Sequence, residues 1–363
     1  MAYTNIDDPS AHFQTGLYTG TGNEIVFTND GNSDLQPDFI WIKNRDDFTN
    51  HHAHNTNVAT TRTLFVNKSD YEETQSQSVK SIQSDGFTLG TWGGDNINNQ
   101  RFVAWQWKAN GGTTSSNTDG SITSTVQANQ DAGFSIVTYT GNGSTADQTV
   151  GHGLGVRANA VLVKNRDSAA NWVVYVDGLV VNHSLELNTS DGQSDSTEGR
   201  VLSSSAGSYG TSSIFTLRNG SGSVIQTNTS GEDYVAYCFA EKQGYSKFGS
   251  YVGNGNGNGP FVHTGFKPAW VMFKRLGIQS WDIHDNTRDP FNPMPRRLLP
   301  NSTAAEETRP TSGISIDCMD FLSNGFKIRS IETILNASGD TYIYMAFAEN
   351  PFVTSTGVPT TAR

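Results

Sequence analysis

Charge and cysteine are both scarce in this 363-residue chain: Asp, Glu, Lys and Arg make up 16% of it, and it holds 2 cysteines. Cys238 and Cys318 lie in apolar segments and read as free buried thiols, which excludes a disulfide framework. No stretch approaches the roughly 20 apolar residues of a membrane-spanning helix, so no membrane insertion is expected. The N-terminal "MAYTNIDDPSAHF" lacks the basic and apolar regions of a secretory leader, and we expect a chain made in a cytoplasm. No long basic run offsets the net charge of −11, which argues against a nucleic-acid partner because such binding depends on Lys and Arg displacing counterions.

Chemical signatures are missing as well. There is no GxSxG elbow, no HExxH helix and no zinc-type cysteine spacing, and "VGNGNGNG" at 252–259 runs into Pro260 rather than opening a helix as a nucleotide loop would. The acidic stretches "NDGNSD" at 29–34 and "SDGQSDSTEG" at 190–199 miss the ligand spacing of a calcium loop and read as solvated turns. With 35 acidic residues some pair will always match the separation of a glycosidase, so the carboxylates point to no reaction. We expect a non-enzymatic protein without a cofactor.

What the chain does have is glycine, 37 of them, with abundant Ser, Thr and Asn among aromatic and β-branched residues. Few helix formers and many strand formers predict an all-β protein with polar loops. A pattern recurs three times. An aromatic strand with a glycine turn opens it, as "FQTGLYTGTGN" at 13–23, "FSIVTYTGNGS" at 134–144 and "FGSYVGNGNGN" at 248–258. A second strand ends at Lys43, Lys164 or Lys274, in "WIKNRD", "LVKNRD" and "MFKRLG". A variable segment follows, then a short strand such as "SDGFTLG" or "SNGFKIR", then a closing strand: "RFVAWQWKA", "DYVAYCFAE" or "TYIYMAFAE". In the closing strands residues alternate with period two, yet neither face is charged, so the strand should be covered on both sides or have one side reserved for a neighbour.

Three tandem β-sandwiches of jelly-roll or lectin-like type are therefore expected, at 11–109, 132–244 and 245–352. A Gly/Ser/Thr-rich linker would occupy 110–131, with an N-terminal arm at 1–10 and a tail at 353–363 gripping neighbouring subunits. The second and third sandwiches would share an interface, with the first hinged. The recurring lysine reads as a strand exit at the solvent edge followed by an Asn/Asp turn. A ligand-binding reading of the same rim would engage Lys43, Arg45, Lys164 and Arg166. Trp92, Trp172 and Trp281, in the variable segments, are candidates for stacking on sugar rings, or else for burial between sheets. In "NHHAHN" at 50–55, His52 and His54 would share one strand face, and a trimer axis would gather their imidazoles around a metal; the plainer reading is a polar loop.

Taken together, "NSDLQPDFIWIKNRD", "AGFSIVTYTGNG", "VGHGLG", "DYVAYCFAEKQGYSKFGSYVGNGNGNGPFVHTGFKPAW" and "DTYIYMAFAENPF" resemble a family of repeat-containing virion proteins of marine tailed bacteriophages. The resemblance covers nearly the whole chain. It implies a virion-surface component of tail fibre or spike type, a homo-oligomer in the form of a trimer, associated with other virion proteins and a host surface glycan or receptor. A capsid decoration or head-fibre protein held by a terminal arm is the alternative, and a polysaccharide-degrading tailspike the third. It supplies no catalytic residues. The chain departs from the family pattern at "NHHAHN" and at "RDPFNPMPRRLLP", residues 288–300, where variable binding surfaces would lie.

Overall fold

A computed structural model describes residues 2–195, 209–218, 226–308 and 319–360. Cys318 and residues 196–199 of the second acidic stretch lie outside them. Among the described residues the regular structure is almost all antiparallel strand, with two one-turn α-helices, Gly93–Asn96 and Thr333–Asn336, and a 3-10 turn at Pro9–Ala11. The all-β sandwich architecture expected from composition is what the chain forms.

One strand order appears in each of the three main sheets. The opening strands Phe13–Thr19, Phe134–Thr140 and Ser246–Val252 pair with the closing strands Arg101–Trp107, Asp233–Phe239 and Thr341–Pro351. The closing strands pair in turn with the lysine strands Phe39–Asn44, Ala160–Asn165 and Phe266–Arg275. Beyond those lie the fourth strands His51–Asn55, Val173–Val176 and Asp282–Asp285. Each main sheet with the smaller sheet outside it is called a unit below.

Period two decides what each face meets. From the closing strands, Phe102 and Ala104, Tyr234 and Ala236, and Tyr342 and Tyr344 face outward into three separate cores beneath the smaller sheets. Val103, Trp105 and Trp107, with Val235, Tyr237 and Phe239 and with Ile343, Met345 and Phe347, face inward into one core shared by all three units. At its centre the matching residues of the three closing strands meet. Trp107 lies 6.3 Å from Phe239 and 5.6 Å from Phe347 between ring centres, and Phe239 lies 5.7 Å from Phe347. The units thus surround a pseudo-threefold axis. The first is not hinged, because its inner aromatic face is buried against both of the others.

The glycine turn after each opening strand has a steric cause. A Cβ at Gly20, Gly141 or Gly253 would lie 2.1, 2.2 or 2.3 Å from the carbonyl oxygen of Ile97, Thr229 or Ala337, a distance no side chain tolerates. Buried Asn96, Asn228 and Asn336 hold that approach by accepting from the backbone N–H of Thr21, Asn142 and Asn254.

Two segments depart from the sequence reading. Within the expected linker, Ser115–Asn117 and Ser124–Asn129 add two strands to the second main sheet, because Ser124 and Val126 alternate into its burial pattern. The terminal segments do not extend as free arms. Ile6 enters the shared core, the Tyr3 hydroxyl donates to the Gly265 carbonyl at 2.5 Å, and Asp7 accepts from the Ser355 backbone at 2.6 Å. Among the described residues, Asp7 and Ser355 fasten the two terminal segments to each other, and Tyr3 fastens the first to the third unit.

Candidate functional site

The recurring lysines are wholly buried, not solvent-edge strand exits. Lys43, Lys164 and Lys274 are each 0% exposed. They share the strand parity of Trp41, Leu162 and Met272 and so point inward, into the seams between units. The Lys43 ammonium donates to the carbonyls of Asn44 (2.8 Å) and Asp47 (3.1 Å) in its own turn, and of Thr303 (3.2 Å) in the third unit. Lys164 donates to Asn165 (2.9 Å) and to Ser69 (3.1 Å) of the first unit, and Lys274 to Arg275 (2.7 Å) and Gly277 (2.8 Å).

Around these lysines each unit grips another in the same sense. The backbone N–H of Glu306 donates to the Arg45 carbonyl, that of Glu72 to Arg166 and that of Gln193 to Leu276, each at 2.8 Å. The Trp172 indole donates to the Phe65 carbonyl and the Trp281 indole to the Glu186 carbonyl, each at 2.9 Å. His51 stands at the matching place in the first unit and interacts with the Leu299 carbonyl. Arg45 and Arg166 add paired bonds to the carboxylates of Glu306 and Glu72 across two of the seams, at 2.8–3.0 Å. The first unit therefore holds the third, the second holds the first, and the third holds the second.

This corrects the surface reading of several residues. Lys43, Lys164 and Arg45 are buried, Arg166 is mostly so, and Trp172 and Trp281 are 1% and 0% exposed. None presents a face to a sugar, because the neighbouring unit covers it. Trp92 alone of the three tryptophans is half-exposed, and its ring packs on His52 with centres 4.6 Å apart.

His52 and His54 do share one face, but it is the outer face of the sheet and it is covered. They are 2% and 1% exposed. His52 Nδ1 meets Asp95 Oδ1 at 2.7 Å, His54 Nε2 lies 3.4 Å from Asp95 Oδ2, and Ser78 donates to the same carboxylate. Burial pushes the Asp95 carboxyl upward, but the charge and bonds of His52, with those of His54, overcome this and hold it well below the usual range. Imidazoles so enclosed cannot meet their counterparts from other chains around a metal. Among the described residues no group of three or more His, Cys, Asp or Glu is placed to hold one. The Ser–Asp–His set is likewise sealed from substrate, so it acts as a polar rivet joining the two sheets of the first unit.

Three buried ammonium groups give the chain an unusual pH dependence. Burial pulls Lys164 and Lys274 down to about 7 and Lys43 down to about 8, from 10.5. Between those values and 10.5 the unfolded chain binds more protons than the folded one, so stability rises with pH. Above about pH 10 the trend reverses, because burial raises the hydroxyls of Tyr237, Tyr245 and Tyr344 and only the unfolded chain ionises them. We expect denaturant unfolding to show stability climbing by about 2–4 kcal/mol from pH 6.5 to a maximum near pH 9.5. Lys164→Met should flatten part of that rise, and a profile that falls steadily above pH 7 would rule the assignment out.

The accessible polar chemistry lies elsewhere, where the pseudo-threefold pattern breaks. In the first unit Asp38 accepts from the backbone of Ala109, Gly111 and Gly112, at 2.8–2.9 Å, as the chain leaves the closing strand. At the matching place Asn159 accepts from Glu241 at 2.8 Å. The third unit has Ala269 there, which can hold nothing, and a groove opens beside it. Asn286, Glu349 and Asn350 line both of its lobes, of about 730 Å³ and about 260 Å³. The larger lobe is walled by the loop Asp289–Met294 and floored by buried Met294 and Phe321, with Phe291 82% exposed at its lip. The smaller lobe reaches the first unit at Asp30–Asn32. Lys267 and Asn286 both reach Glu349 Oε2, at 2.6 and 2.7 Å. The sequence marked 288–300 as a variable surface but not Asn286, Glu349 or Asn350; the signal for them was Ala269 standing where two other units carry Asp and Asn.

Among the described residues no helix is long and apolar enough to cross a membrane. No curated protein and no solved structure is significantly similar to the chain. One family does match, over residues 8–351, a span that includes all three units and the groove, and the chain belongs to it: the family described as Domain of unknown function (DUF7483).

Proposed function

We propose that this chain is a non-enzymatic surface protein of a bacteriophage particle, of tail fibre or spike type, which contacts the host cell through loops of its sandwiches. The observation that carries this reading is the division of polar chemistry. Lysines, arginines and tryptophans that could have formed a reactive centre are buried in the joints, and His52 and His54 within the first unit, while the large open groove is walled by the loop Asp289–Met294 on a scaffold of strands. The sequence resemblance to virion proteins supplies the setting.

A shell decoration held by a terminal arm is the second reading. The inner faces of the sheets are already covered within one chain, so a homotrimer would form through outer surfaces. The test is the amount of this chain relative to the major capsid protein in purified particles. A few copies per tail supports the reading, hundreds per particle make it a decoration, and absence from the particle ends both.

A further inference from the structure

We infer that the groove of the third unit is a saccharide site that prefers uncharged to anionic sugars. The inference deepens the proposed host contact and rests on that reading for its biological setting, but the chemistry is argued from the groove.

The larger lobe is electrically balanced. Lys267 pairs with Glu349 at 2.6 Å, and Arg296 with Asp289 at 2.9 Å. Asp30 adds a negative charge at the smaller lobe, so no spare positive charge draws an anion in, and an anionic ligand would shed its hydration without a counter-charge. What the groove offers instead is planar hydrogen-bonding groups. The Glu349 carboxylate and the amides of Asn286 and Asn350 stand together, able to accept from and donate to adjacent hydroxyls on a ring. Glu349 Oε1 is held by Asn350 at 3.4 Å, a long bond that a ligand hydroxyl can replace.

Apolar surface completes the match. A pyranose has a C–H face that packs on an aromatic ring, and Phe291 is presented at 82% exposure on the loop forming the wall. The larger lobe, about 730 Å³, falls within the usual range of small-molecule sites, and its continuity with the smaller lobe suits a short oligomer rather than a single ring. At the smaller lobe Ala269 stands where the first two units carry the Asp38 and Asn159 clamps, so the groove is a feature of the third unit among the described residues.

Saturation-transfer NMR on the full chain, with maltotriose, chitotriose and lactose as neutral probes and sialyllactose as the anionic one, tests this. At least one neutral probe should receive transfer at millimolar concentration, more strongly than sialyllactose. Phe291→Ala and Asn350→Ala should each weaken it by roughly tenfold. Phe291 is exposed, so its variant should keep the wild-type melting temperature and separate loss of binding from loss of fold. Absence of transfer from all three neutral probes, equal binding by both variants, or preference for sialyllactose would each overturn the inference. The virion reading is judged separately by copy number in particles, so a chain found in particles that binds no neutral sugar refutes the groove alone.

Discussion

Trp107→Ala should destabilise the whole chain by about 3–5 kcal/mol, with all three units losing structure together. Trp107 touches each of them: its ring packs on Phe13 and Phe39 of its own unit, Phe239 of the second, and Trp270 and Phe347 of the third. Truncation leaves a void at the pseudo-threefold axis that cannot collapse, because three sheets meet there from different directions. A single cooperative transition shifted to lower denaturant is the expected record. Loss of the first unit alone, with the others melting as in the parent, would contradict a shared core. Trp107→Phe should cost less, since the Trp107 indole N–H is buried without a hydrogen-bond partner and phenylalanine removes that unmet donor. For the same reason residues 11–109 expressed alone should not form a stable monomer, because their inner face of Phe39, Trp41, Trp105 and Trp107 would be exposed.

Glu306→Ala should cost a similar amount, about 3–5 kcal/mol, by a different cause. The Glu306 carboxylate, 4% exposed, receives Arg45 from the first unit at 2.8 and 2.9 Å and Arg288 at 3.2 Å. Removing it leaves two buried guanidinium groups with less compensation, and Arg288 is 0% exposed with Asp285 as its remaining carboxylate. Burial pushes the Glu306 carboxyl upward, but bonding to Arg45 and the charge of Arg288 prevail and hold it below its usual value of 4.5. Its contribution is therefore complete above pH 4.5 and is lost as pH falls through the folded value. The pseudo-threefold pattern provides an internal control. Gln193 occupies the equivalent place opposite Leu276, with no ion pair between them, so Gln193→Ala should change stability by less than about 1 kcal/mol. Equal effects at Glu306 and Gln193 would show that the joints are held by packing and backbone bonds alone.

The period-two runs in the closing and lysine strands were enough to place nearly every residue of the main sheets on one face or the other. The parity of Lys43 with Phe39 and Trp41 also told which way the lysine points, although a lysine at the end of an apolar run reads first as an exit to water. What hides it is the neighbouring unit, whose carbonyl at Thr303 lies 260 positions away in the chain. Asp95 was silent for the same reason, since nothing near it in sequence announces His52. The groove was half legible: the loop at 288–300 stood out as variable, but Glu349 sits in a closing strand whose pattern is that of its counterparts.

By itself the sequence determined the class of the fold, the order of strands in each unit and the fact that both faces of those strands are covered, because alternation is a local property of a pleated chain. Only the tertiary structure decided what covers them. It closed three units into a ring around Trp107, Phe239 and Phe347, turned the recurring lysines from rim to joint, and left a groove beside Ala269, where the pattern is interrupted. Those outcomes depend on which distant groups meet. A buried ammonium or an empty groove is a property of that meeting, and no stretch of chain carries it alone.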